Sequence, residues 1–490
     1  MSEILSRRRV LGAGATSGLA AGMPLSLLPG PGKAAAPGVA RNSFVPEADY
    51  LASAKKAAQW IDRARVEDER GLRWLPDPDR PHVVTTASPD NALYAGSAGT
   101  LLFFLEMAEA TGDPSYASTA ARSADYLVET WRDLVEKPNP ALPPAPGFNL
   151  ALYNGLSGLA FALIEAWKAT GTQRYRDAAR AATDHIAQAA APAGRGVQWT
   201  GITGIAGDGG IALYLLYAAK TLDEKKYLTT AVRAADRIAE GARVEPKGGV
   251  SWQAFPNELF GLPKEAYLPN FEGGTAGVAY VLARVYAESG ERRFLADAKL
   301  GALHLQTIAT IRGDAALIPY RFPDLTDTYY LGYCHGPAGT ARTFYELHRL
   351  TGEPQYQEWA LRLARGVIAS GVPELQTSGF WNVACQCCGS AAVVELFIGL
   401  WAASGDPELL AYAQRVARQL ISRHSDVDGQ GHRWYQAWTR VKPAEVNAET
   451  GYSIGASGIA SALLHVHLAG AGRYRAILLP DNPFPASRKT

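Results

Sequence analysis

The sequence predicts an all-α protein, a closed ring of seven helical hairpins, and three observations carry that prediction. First, a Gly-x-x-Gly motif recurs seven times: at Gly96, Gly155, Gly204, Gly274, Gly336, Gly455 and, as the variant Gly389-Ser390-Ala391-Ala392, at Gly389. Second, each motif opens an apolar run that closes on a Gly-containing turn, and an amphipathic run follows. Third, strand-like alternation is rare. One helix of each pair lacks a polar face, so the other set must shelter it. An open solenoid would need polar terminal repeats. The first and last repeats show none, which favours closure.

Taken in order, the chain begins with an address. Ser6-Arg7-Arg8-Arg9-Val10-Leu11 matches a twin-arginine export signal, and a mildly apolar, glycine-diluted segment follows. Small residues from Ala34 to Ala40 offer a cleavage site, so residues 1–40 are expected to be a signal peptide and the mature protein periplasmic or extracellular. Pro24 and the glycines make the segment a poor spanning helix, and no other stretch is apolar for long enough to span. Residues 41–480 are expected to form the ring, and 481–490 a tail. Asp49 to Arg65 reads as the first outer helix. The first hairpin then shows the grammar of the rest. Thr100 to Thr111 is apolar nearly all round, Thr111-Gly112-Asp113-Pro114 ends one helix and caps the next, and Tyr116 to Trp131 carries a single apolar stripe. Lys+Arg number 48 against Asp+Glu 47, which gives no electrostatic case for nucleic acid.

All four cysteines fall in two stretches, Tyr333-Cys334-His335-Gly336 and Cys385-Gln386-Cys387-Cys388-Gly389, each opening an inner helix. Two disulfides are the weaker reading, because bridging adjacent Cys387 and Cys388 strains the backbone. A shared metal fits better. Thiolates at helix N-termini are stabilised by the partial positive charge there, and three protein ligands leave a fourth tetrahedral corner open. Cys385 could instead close the site as a fourth sulfur, giving an inert structural centre.

Seven glycine-opened hairpins, with Cys-His-Gly at repeat five and Cys-Cys-Gly at repeat six, resemble the lanthionine synthetase C-like family over roughly residues 45 to 470. The resemblance implies a double α-toroid, (α/α)7, with Zn2+ held by Cys334, Cys387 and Cys388. It also implies addition of a cysteine thiol of a peptide, or of a small thiol, across a dehydroamino acid to form a thioether. Two departures stand out. Cyclases of the family usually carry a histidine before the repeat-four glycines, where this chain has Gly273 preceded by Glu272. An aspartate expected before the repeat-three glycines is missing, although Asp208 lies just after them.

Glu272 and His335 are therefore the candidate acid–base residues, with Asp208 a weaker third because aspartate in a glycine-rich turn serves the turn. Loops before the inner helices should form an aromatic mouth that includes Tyr320, Tyr330, Trp381, Asn382, Trp438 and Arg440. Two rival classes are a non-catalytic zinc-stabilised toroid that binds peptide, and a carbohydrate-active α/α-barrel enzyme. The latter, as a glycosidase, needs a cavity carboxylate pair and leaves the cysteines unexplained.

Overall fold

The computed structural model describes residues 48–80, 88–137, 146–255, 257 and 262–487. The signal expected at residues 1–40 lies outside them. Helix α1 (Ala48–Asp62) comes first. Six hairpins follow: α2 (Ser97–Thr111) with α3 (Pro114–Thr130), α4 (Leu156–Thr170) with α5 (Gln173–Gln188), and α6 (Asp208–Thr221) with α7 (Lys225–Ala239). Then come α8 (Thr275–Ser289) with α9 (Arg292–Ile308), α10 (Pro337–Thr351) with α11 (Pro354–Ala369), and α12 (Ser390–Ser404) with α13 (Pro407–Ser422). Helix α14 (Ala456–Gly470) is last and pairs with α1, so the two ends of the described chain complete the seventh hairpin.

The even-numbered helices form a closed inner ring: each packs on the next, and α14 packs back on α2. They are buried on nearly every side, as α12 shows from Ser390 through Ala402. The odd-numbered helices surround them with one wet face. The double toroid expected from the sequence is the observed fold. Its hairpins turn as the sequence grammar requires. Gly112 and Gly405 adopt φ of +68° and +77°, where an L side chain is disfavoured. Asp113 and Asp406 then accept from the amides of Ser115 and Glu408 at 2.9 Å, ahead of Pro114 and Pro407 in the first helical turn.

One correction concerns register. In repeat three the helix N-cap is Gly207, not Gly204, so the working motif is Gly207-Asp208-Gly209-Gly210. Gly210 lies against the Ile205 carbonyl and the Leu152 side chain, the place that the motif's second glycine takes in other repeats. The expected tail is anchored where it is described. Asp481 is fully buried, and Phe484 packs on Tyr345 at a ring distance of 4.7 Å and against Gly399. Among the described residues no helix is long and apolar enough to cross a membrane.

Candidate metal centre

The loops that precede the inner helices meet at one end of the toroid, and backbone hydrogen bonds stitch them in ring order. The amide of Ala206 donates to Glu272 O (3.1 Å), Glu272 to Cys334 (2.9 Å), and Cys334 to Cys387 (3.0 Å). Cys387 donates to Ser453 (2.7 Å), Ser453 to Tyr94 (2.8 Å) and Tyr94 to Tyr153 (2.8 Å). From Glu272 onward, every residue in this chain of bonds stands two positions before its helix's N-cap glycine. Glu272, Cys334 and Cys387 are thus the same structural position in three successive repeats. Close approach needs glycine at two points. A side chain at Gly332 would overlap the Cys388 backbone, and one at Gly339 would overlap the Tyr333 carbonyl.

This register brings three sulfurs together. Cys334 Sγ lies 3.3 Å from Cys388 Sγ, and Cys388 Sγ lies 3.5 Å from Cys387 Sγ. All three sit within 4.8 Å of one another. A tetrahedral zinc with Zn–S bonds of about 2.3 Å separates its sulfurs by about 3.8 Å, so the spacing fits one ion. Hydrogen bonds from the Cys334 and Cys387 thiols lower the pKa of Cys388 to about 7, so a thiolate forms readily there. All four cysteines are free thiols. Cys385 joins no metal-sized group among the described residues. Its sulfur faces the Cys388 amide at 3.5 Å, and burial pushes its thiol up to about 12. The three sequence-predicted ligands converge, and the fourth cysteine stands apart.

The two candidate acid–base residues arrive at the same place. The Glu272 carboxylate, the His335 ring and Cys334 Sγ lie within 4.8 Å of one another. Burial, reinforced by Cys387 and Asp481, raises the Glu272 carboxyl well above its usual range. Burial lowers His335 to about 4, and its Nδ1 has no hydrogen-bond partner. The third candidate, Asp208, is elsewhere employed. It accepts from the amides of Trp199 (3.2 Å), Thr200 (2.7 Å) and Gly201 (3.2 Å), fixing a turn. The slot of the missing repeat-four histidine is filled, because a side chain at Gly273 would overlap the ring of Phe255.

Aromatic rings wall the mouth beside His335. Tyr320 stacks on Tyr330 at 4.2 Å, and His335 presents to both at 5.1 and 5.7 Å. A short parallel pairing, Tyr329 with Phe380 and Tyr330 with Trp381, holds this wall between repeats five and six. Trp252 and Trp434, in the loops before the inner helices of repeats four and seven, are core residues at 1% and 3% exposure.

Three contributors escaped sequence reasoning. Tyr94 from repeat one lines the same cavity as Cys387. Gln436 Oε1 accepts from the amides of Ala384 and Cys385, both at 3.0 Å, and so pins the cysteine loop. Asp481 accepts from the hydroxyls of Tyr153 (2.6 Å) and Tyr333 and pairs with Arg342 at 3.3 Å. Beside Cys387 a cavity runs past Tyr153 and Arg342 to Glu395 and His465, floored by Ile477 and Leu479. There His465 is clamped between Glu395 (2.7 Å) and Glu106 (2.9 Å).

Fold and site together define a double α-toroid with a three-sulfur cluster able to hold a metal ion. The profile of the lanthionine synthetase C-like protein family matches residues 147–371 and 274–478, and the chain belongs to that family. Among solved structures, nisin cyclase shares the fold with a TM-score of 0.58 at 13% identity, over 87% of this chain and 95% of that one. Looser matches include a sugar epimerase from a ruminal bacterium (TM-score 0.47, 14% identity, 71% and 96% coverage). Another is a Salegentibacter alpha-1,6-mannanase (0.44, 15%, 86% and 99%). No curated protein matches the chain by sequence.

Proposed function

We propose that this chain is an exported zinc enzyme that activates a thiol for addition to a dehydroamino acid or related electrophilic alkene, forming a thioether. The observation that carries the reading is the convergence of Cys334, Cys387 and Cys388 while Cys385 stays outside, which leaves one tetrahedral corner for a substrate. Zinc held there would make an entering thiol acidic enough to attack near neutral pH.

The protein's own groups have complementary tasks. The His335 ring lies beside Cys334 Sγ with its buried Nδ1 unpartnered, placed to take up the proton that a thiol releases. The Glu272 carboxyl, whose pKa burial raises, lies beside Cys334 and is placed to return a proton to the carbon that the addition leaves negative. Tyr94 lines the cavity beside Cys387, and the wall of Tyr320, Tyr330 and Trp381 borders the site on one side. Twin-arginine export at Ser6–Leu11 suits the same reading, because that route carries folded proteins and a site loaded before export would keep its thiols from oxidation.

The test uses the mature chain. Metal analysis should find one zinc per molecule, and a dehydroalanine peptide should consume free thiol faster than in a protein-free blank. Zinc present with no acceleration would sink the catalytic reading and leave a zinc-stabilised binding toroid.

A further inference from the structure

The pattern that assembles the three sulfurs recurs one step earlier round the ring. The sulfur cluster draws on the residue two before the N-cap glycine in repeat five (Cys334), and on the residues two and one before it in repeat six (Cys387 and Cys388). The same three places, shifted back by one repeat, hold Glu272, then Cys334 and His335. All three are metal-ligating side chains. The backbone makes the two steps equivalent, because the Glu272 amide donates to Cys334 O at 2.9 Å just as the Cys334 amide donates to Cys387 O at 3.0 Å. The side chains follow the backbone. One ligand atom each from Glu272, Cys334 and His335 lies within 4.8 Å of the other two, the same limit that the three sulfurs meet. The neighbouring steps break the pattern, with Ile205 ahead of Glu272 and Gly273, and Ser453 and Ile454 beyond Cys387. Among the described residues no further group of three such ligands forms.

Charge points to the same place. Three thiolates outweigh a single divalent ion, so the loaded sulfur cluster is left with one negative charge in excess, and buried charge of this kind needs a partner. Glu272 stands beside it, and among the described residues no lysine or arginine pairs with its carboxylate. A second divalent ion balances the three thiolates and the carboxylate together. An entry path exists too, since Glu272 and His335 keep some exposure while Cys334 is buried.

We propose that Glu272, Cys334 and His335 bind a second divalent cation, which shares the Cys334 thiolate with the first. A thiolate, an imidazole and a carboxylate select a metal such as Zn2+ or Co2+ over Mg2+ or Ca2+, which take oxygen donors. Ligands of one tetrahedral zinc stand about 3.4–3.8 Å apart, a spacing that donors already within 4.8 Å reach by small side-chain rotations. With one sulfur in place of three, this site is the weaker of the two. The protein as isolated therefore keeps the first ion and takes up the second when metal is supplied. Filling the second site removes Glu272 and His335 from proton transfer, so zinc beyond the first equivalent should switch thiol addition off. That consequence rests on the thiol-addition reading above, whereas the site rests on its ligands alone.

Titration of the metal-stripped mature protein with Co2+ tests this. Two ions should bind per chain, the first with thiolate-to-cobalt charge-transfer absorption and the second more weakly. Because one sulfur bridges them, the paramagnetic resonance signal of the first ion should be lost as the second enters. Glu272→Gln and His335→Ala should each bind one ion with the first absorption unchanged, which also shows that the variant is folded. Saturation of the wild-type protein at one ion overturns the proposal, as does a second ion that leaves the first signal intact. A second ion that survives in both variants also overturns it, in favour of an adventitious surface ion. Thiol consumption with a dehydroalanine peptide is read separately, at increasing zinc. Addition absent at every zinc level would leave the second site standing and remove the enzymatic reading, and addition that persists in a protein saturating at one ion would do the reverse.

Discussion

The two ends of the axial cavity bury polar groups in opposite ways. At the floor the groups are matched. Both His465 nitrogens meet carboxylates, Glu106 also takes the Ile477 amide at 2.7 Å, and Asp481 has two phenols and a guanidinium. Only Glu106 Oε2 and Arg342 Nε lack partners there. At the mouth several buried groups have no protein partner. Three thiols crowd one another, and His335 Nδ1 and Asn382 Oδ1 are both buried and unpartnered. Buried polar groups that satisfy one another hold a fold together, and those that do not are costly to keep. The floor is architecture, and the mouth is a site.

The comparison is broken most directly at the mouth. Cys334→Ala should abolish zinc binding, taking metal content from one ion per chain to none, because two sulfurs from one repeat cannot hold the ion alone. Cys385→Ser should leave the stoichiometry at one, since that sulfur lies outside the cluster. Loss of zinc in Cys385→Ser would make the centre a closed four-sulfur site and remove the open corner.

The floor should answer in stability instead. His465→Leu leaves Glu106 and Glu395 facing each other with no cation between them, and breaking a buried pair typically costs about 3–5 kcal/mol. Chemical denaturation measures this, and zinc content of the folded fraction should not change. The pH dependence has a definite sign. Burial pulls His465 toward its neutral form, but Glu106 and Glu395 outweigh it and raise its pKa well above 6.5. Its contribution is therefore complete below the unfolded pKa of about 6.5 and is lost as pH rises through the folded value. His432 runs the other way. Burial, then His424, lowers it to about 4, so its contribution is complete above about 6.5 and fades as pH falls toward 4. Wild-type protein should lose its advantage over His465→Leu in alkaline buffer, and an advantage that grows with pH would contradict the charged clamp.

A smaller effect is expected between the two regions, at Gly273. Even a methyl group there meets the Phe255 ring, and overpacking of this kind costs about 1–3 kcal/mol. Gly273→Ala should lower the denaturation midpoint accordingly, and Phe255→Ala in the same chain should recover part of the loss. A neutral Gly273→Ala would mean that the slot is open and the missing histidine a matter of sequence alone.

What the sequence reveals follows the same division. The hairpin ring is legible because its cause is local: glycine caps, Gly-Asp-Pro turns and helices apolar on every side are properties of short segments. The three-sulfur cluster is legible because Cys334 and Cys387 occupy one register in adjacent repeats. Repeat three is misread by three residues because Gly204, Gly207, Gly209 and Gly210 supply two overlapping motifs. Only the fit of Gly210 against Ile205 and Leu152 selects between them. Tyr94, Gln436 and Asp481 leave no local signal. Tyr94 shares a cavity with Cys387 across the seam where the first and last repeats close the ring, and Asp481 reaches Tyr153 and Tyr333 from the chain end.

Gln436 offers the finest test of whether the mouth is held open by its surroundings. Its carbonyl oxygen fixes two consecutive amides, Ala384 and Cys385, directly before the ligand pair, and its amide group ties the same loop to Ile454 of repeat seven. It touches no sulfur. Gln436→Leu keeps much of the bulk and removes all three hydrogen bonds, so Cys387 and Cys388 should lose orientation without losing chemistry. Removal of such an outer partner typically weakens metal binding by about tenfold or more, which competition with a chelator would read as a raised dissociation constant at unchanged stoichiometry. Unchanged affinity would mean that the backbone bonds from Cys334 to Cys387 and from Cys387 to Ser453 are enough to set the cluster.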